Sequence, residues 1–166
     1  MLNHTKRLLT AASIAAAAAA IAITGTAASM ASPQTSSPTT LKLLMHGGSL
    51  TTVNVAHAKT FPQTGDELIL VQPVYTAADP TQVIGHGYVT STFVTPKISP
   101  PAGLREDVTL VLNQGDIELA GVTTGDPSTL AVTGGTGIYE NSSGQATVTT
   151  GPGKGNPASV TLTLLR

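Results

Sequence analysis

The sequence predicts an all-β protein, a single closed antiparallel β-barrel of about eight strands preceded by a signal-peptide helix. Three observations predict it. Past the first forty residues, β-branched and aliphatic runs alternate with glycine- and proline-bearing breaks at short intervals. No convincing amphipathic helical period interrupts them. The stretch Leu130-Ala-Val-Thr-Gly-Gly-Thr-Gly-Ile-Tyr139, with Gly144-Gln-Ala-Thr-Val-Thr149 behind it, reads as strand, glycine-dense corner, strand. So many strands in one domain must either close or split into two sheets, and closure removes exposed edges.

The N-terminus comes first. Lys6 and Arg7 precede an apolar, alanine-dominated run from Leu8 to Ile23, and small-residue exits follow at Thr26-Ala27-Ala28 and Ser29-Met30-Ala31. That order is a secretory signal peptide, residues 1–31, with cleavage expected near Ala28 or Ala31 and a secreted, extracellular product. The run is shorter than the ~20 residues that span a bilayer, so no stable membrane insertion is expected after cleavage. Residues 32–40 form a Pro/Ser/Thr linker with nothing to bury. Residues 41–166 are then the barrel domain, near the commonest domain size.

All nine acidic residues and six of the eight Lys and Arg lie beyond the leader, a net charge of 6 − 9 = −3. With no Trp and no basic cluster, the chain lacks the electrostatic footprint and stacking rings that nucleic acid requires. There is no Cys, so an exported domain must be held by a continuous, mostly aliphatic core. His46, His57 and His86 show no metal-ligand spacing, and neither a metal nor another cofactor is expected.

The predicted strands are Leu41–His46, Leu50–His57, Glu67–Tyr75, Gln82–Val94, Asp107–Asn113, Asp116–Val122, Thr129–Thr133, Gln145–Thr150 and Ser159–Leu165. The clearest hairpin joins Val108–Asn113 to Asp116–Ala120 through a two-residue turn, Gln114-Gly115. Ile117 and Leu119 share one face of its second strand; Asp116, Glu118 and Ala120 share the other. Gly151-Pro-Gly-Lys-Gly-Asn-Pro157 is a further turn cluster, after which Val160, Leu162 and Leu164 alternate with threonines. In the corner, Gly134, Gly135 and Gly137 permit a turn or a close backbone approach, and Tyr139 supplies a ring to cap the core. A phosphate-cradling loop would end in Gly-Lys-Ser/Thr and lead into a helix; this one does neither.

Several blocks now line up in order. Gly65-Asp66-Glu-Leu-Ile-Leu-Val-Gln-Pro-Val-Tyr75, Val83-Ile-Gly85-His-Gly87-Tyr-Val89 and Gln114-Gly-Asp-Ile-Glu-Leu-Ala-Gly121 resemble successive strands of the allene oxide cyclase-like barrels. Ala131-Val-Thr-Gly-Gly-Thr-Gly-Ile-Tyr139 with Gly144 is similar to their most specific block, and dirigent proteins share the barrel type. The resemblance spans Leu41 to Leu165. It implies a barrel that binds a small apolar molecule in its lumen and steers its cyclisation or coupling, an isomerase-like or dirigent-like activity. It also implies a homotrimer or another homo-oligomer.

The plant cyclases so resembled hold an ordered water with Asn and Pro groups and use a Glu on the first strand. Gln72 falls at the position of one such Asn, and Val89 where those enzymes carry Cys. Leu41-Lys-Leu-Leu-Met-His46 has no Glu, and His46 is the polar candidate nearby. These departures argue against allene oxide cyclisation itself. The candidate ligand-binding residues are Gln72, His46, Tyr75 and Val89, and no catalytic residue is assigned. Gln72 shares a face with Leu68, Leu70 and Val74, whereas His86 and Tyr88 lie opposite Val89 on the outer wall or at a subunit contact. Asp116 and Glu118 read as solvated, and Arg105 and Glu106 as loop charges. There is no Gly-x-Ser-x-Gly, and Asn141-Ser142-Ser143 fits a glycosylation sequon.

Three functions stay open: a lumenal binder that folds a reactive molecule into one conformer, a non-catalytic extracellular barrel with a side-chain-filled lumen, and an oligomeric module acting through its outer face. The lumen decides among them. A cavity of roughly several hundred Å³ favours the first. Closure by Leu68, Leu70, Leu110 and Leu162 favours the second, and a large outer apolar patch the third.

Overall fold

The computed structural model describes residues 37–55, 61–95, 103–151 and 157–166. The leader, most of the linker, His57 and the interior of the 151–157 turn cluster lie outside the described residues.

Nine strands follow one another: β1 (Thr39–Met45), β2 (Ser49–Val53), β3 (Glu67–Thr76), β4 (Val83–Phe93), β5 (Leu104–Leu112), β6 (Gly115–Thr123), β7 (Ser128–Gly135), β8 (Ser143–Thr150) and β9 (Ala158–Leu165). From β3 to β9 each pairs antiparallel with the next, and β1 pairs with both β9 and β3. These eight strands close the barrel. β2 is added on β3 alone: β1 takes Val74 to Thr76, and β2 takes Glu67 to Val71. The two are successive pieces of one wall strand, interrupted at His46, Gly47 and Gly48.

Period-two alternation sets the lumen. The register aligns four inward rows across β3 to β6: Leu68, Ser91, Glu106, Gly121; then Leu70, Val89, Val108, Leu119; then Gln72, Gly87, Leu110, Ile117; then Val74, Gly85, Leu112, Gly115. Leu43, Val74, Leu110, Ile117, Ala146 and Leu162 are fully buried. Each large aliphatic side chain so buried contributes about 1.5–3 kcal/mol, which lets a cysteine-free barrel hold together.

Two local expectations are corrected. Leu112 pairs with Gly115, so the β5–β6 turn is Asn113-Gln114, and Gly115 belongs to the ladder. A Cβ at Gly115 would run into the Thr136 carbonyl, which packs against it. Second, β5 begins at Leu104, so Arg105 and Glu106 are strand residues rather than loop charges. Arg105 turns outward to Asp107, 3.1 Å away and two residues along the same face.

The glycine corner packs against the β5–β6 turn at one end of the barrel. β7 runs through Gly134 to Gly135, and Gly137–Tyr139 makes a single turn of 3-10 helix, η1. Gly137 has φ +58, where a side chain would also meet the Gln114 carbonyl. The Ile138 N–H donates to Gln114 O at 3.1 Å, and the Asp116 N–H to Thr136 Oγ1 at 2.9 Å, clamping the corner onto the β5–β6 turn. Tyr139 is buried and joins the core.

Candidate functional site

Towards the other end, where β8 stops at Thr150 and β9 starts at Ala158, the lumen is not filled. A cavity of about 220 Å³ remains. Its wall is mainly aliphatic, with Leu70, Val89, Val108, Leu119, Leu130 and Val160; Gln72, Ser91, Glu106 and Thr150 add polar groups.

Glu106 is there because β5 alternates. Val108, Leu110 and Leu112 face inward, and Glu106 lies on the same side, between its ladder partners Ser91 and Gly121. Burial pushes its carboxyl above the ordinary 4.5, and a hydrogen bond from Thr123 offsets this only in part. Thr123 also reaches the Leu104 carbonyl, but at 3.5 Å that contact is too long to compete strongly for its proton.

The sign of the pH effect follows. A carboxyl whose folded value is raised keeps a proton that the unfolded chain has already lost, so native stability falls as pH rises from the unfolded value through the folded one. Glu106→Gln is expected to remove that fall. Thermal melts from about pH 4 to about pH 8 should show the variant gaining on the native protein towards neutral pH. A gap that does not change with pH would contradict the lumenal placement of the charge.

Gln72 lines the same cavity, and its Nε2 donates to Gly47 O at 3.1 Å, holding the break between β1 and β2. Val89 lines it one row away. His46 and Tyr75 lie elsewhere. Each directly follows an inward residue, Met45 and Val74, and their rings stack on one another with centroids 4.2 Å apart and planes 5° from parallel. Neither borders the cavity; they form an aromatic pair on the outer wall beside Leu44. His86 and Tyr88 are exposed on the outside of β4. Among the described residues, no three His, Cys, Asp or Glu side chains gather as metal ligands would.

A second hollow, about 260 Å³, lies at the corner end between Leu41, Ile84, Leu112, Asn113 and Tyr139. Burial raises the Tyr139 phenol above its ordinary value, and Arg166 opposes the shift. Glu106 is the group that sequence reasoning passed over. Its signal was present, since extending the alternation of Val108, Leu110 and Leu112 backwards places residue 106 inside.

No protein-family model matches the sequence, and no curated protein matches it. Solved structures do. A pyocyanin demethylase superposes with TM-score 0.65 and 23% identity, covering 76% of this chain and 99% of that one. A pterocarpan synthase dirigent protein superposes with TM-score 0.65 at 14% identity, over 89% of this chain and 99% of that one. A Diels-Alderase from Streptomyces koyangensis gives TM-score 0.59 at 19% identity, over 78% and 63%. At these identities the likeness is one of fold.

Proposed function

We propose, from the premise that this chain is a barrel of the allene oxide cyclase-like and dirigent fold, that it is secreted, binds a small apolar molecule in its lumen and steers that molecule's cyclisation or coupling. One observation carries the reading: a mainly aliphatic cavity of about 220 Å³ with Glu106 as the one ionisable side chain among the described residues of its wall. The alternative, a barrel with a side-chain-filled lumen, would have packed this space as tightly as the surroundings of the fully buried Leu43, Ile117 and Leu162. An apolar cavity of roughly 150 Å³ accepts benzene, so this one accommodates a body of one or two rings.

Such a wall acts chiefly by holding one conformer, which replaces a search among many with a near-attack geometry. Glu106 adds proton transfer. Its carboxyl stands on the cavity wall beside the bound molecule, where it takes up a proton from one position of the substrate and returns it at another as the rearranged product forms. The same fold serves proteins named for a [4+2] cycloaddition and for pterocarpan synthesis, which supports a steering role.

Native mass spectrometry of protein purified from culture medium tests the proposal. The expected species lacks residues 1–28 or 1–31, retains a small molecule or takes up an apolar probe, and assembles as a homotrimer or another homo-oligomer. A protein that keeps its leader contradicts export. One that neither retains a molecule nor takes up the probe contradicts lumenal binding.

A further inference from the structure

We propose that the cavity selects an apolar molecule carrying one N–H-bearing cationic nitrogen, a protonated amine or protonated ring nitrogen, seated on Glu106. The proposal rests on the lumenal-binding reading above and names its ligand class. Among the described residues lining the cavity, Glu106 is the one ionisable group, and Lys, Arg and His are absent from that lining. Its neighbour Arg105 points to the outside and is committed to Asp107. The Glu106 carboxyl has a hydroxyl from Thr123 and, among the described residues, no cation on the cavity wall. A charge desolvated in this way gains most from a cation that arrives with the ligand.

The wall also excludes two alternatives. An anionic ligand would meet the carboxylate in an apolar space with no compensating positive group among the described residues of its lining. A quaternary ammonium has no N–H to donate, and the described residues of the lining include no aromatic ring to hold it through cation–π attraction. An N–H donor makes a charge-assisted hydrogen bond to the carboxylate, roughly twice as strong as a neutral one. Ser91, directly paired with Glu106, and Thr150 on the facing strand supply hydroxyl acceptors for a second N–H.

Calorimetric titration of the purified protein at neutral pH with phenethylamine, phenethyl alcohol, hydrocinnamate and benzyltrimethylammonium tests the assignment. Phenethylamine is expected to bind about tenfold or more tighter than the alcohol, with the other two weaker still. Glu106→Gln is expected to abolish the amine's advantage. Should that variant not fold, the probe series on the native protein decides alone. Equal binding of amine and alcohol overturns this proposal while leaving the lumenal reading intact. Binding by none of the probes overturns both.

Discussion

Leu110→Ala is expected to destabilise the barrel by about 2–5 kcal/mol and to deepen the cavity in the same step. Leu110 is fully buried. It stands in the inward row with Gln72, Gly87 and Ile117 and forms part of the cavity floor. Truncation removes its dispersion contacts and leaves a void that rigid strands on both sides cannot collapse to fill. Denaturant unfolding measures the loss directly, and Tm should fall on the order of 10 °C. Two-ring apolar probes should gain affinity while the fold weakens. A loss under about 1 kcal/mol would mean that the floor repacks and that this row does not bound the lumen.

Gly144→Ala should have an effect of similar size through the backbone. Gly144 has φ +137, and an added Cβ would run into the main-chain carbonyl of Thr163 on β9. The residue pairs with Val132 on one side and Leu164 on the other, so relief of the clash means opening a ladder. Strain in that region costs about 1–3 kcal/mol. Each ladder hydrogen bond lost adds roughly 0.5–1.5 kcal/mol. Gly125→Ala provides the contrast: an added Cβ there meets nothing within 4 Å, and the change should stay within about 0.5 kcal/mol. Equal stabilities for the two variants in equilibrium unfolding would refute the close approach of β8 to β9.

The strands were legible in the sequence because a half-buried strand writes its period into residue type. Val160, Leu162 and Leu164 alternating with threonines, or Ile117 and Leu119 alternating with Asp116 and Glu118, leave little freedom in which face turns inward. For Glu106 the period is legible but the residue type masks it. It lies in a charged run, Arg105-Glu106-Asp107, just after a proline- and glycine-bearing break, and composition there suggests solvent. Parity overrides composition: Arg105 and Asp107 face out and pair, and Glu106 between them faces in. Gln72 and Val89 were placed by alignment, and both border the cavity. His46 is the polar residue nearest the Glu that the resemblance expects on the first strand, and Tyr75 ends the aligned Gly65–Tyr75 block; both lie away from the cavity. One residue of offset moves a strand side chain to the other face.

The way β1 is held bears on how the barrel assembles. From β3 to β9 the wall is a meander, each strand pairing with its successor, so growth along it needs only short loops to close. β1 alone joins the two extremes, meeting β3 through Leu43, Leu44 and Met45 and β9 from Thr39 to Met45. Its β9 partners lie more than a hundred residues downstream, the longest sequence separation in the wall. Pairings of that kind form late, because loop entropy is spent before the contacts repay it. Until Ala158–Leu165 is in place, the lumen is an open trough. The clasp that turns a sheet into a container is thus the pairing with the largest loop-entropy cost in the wall.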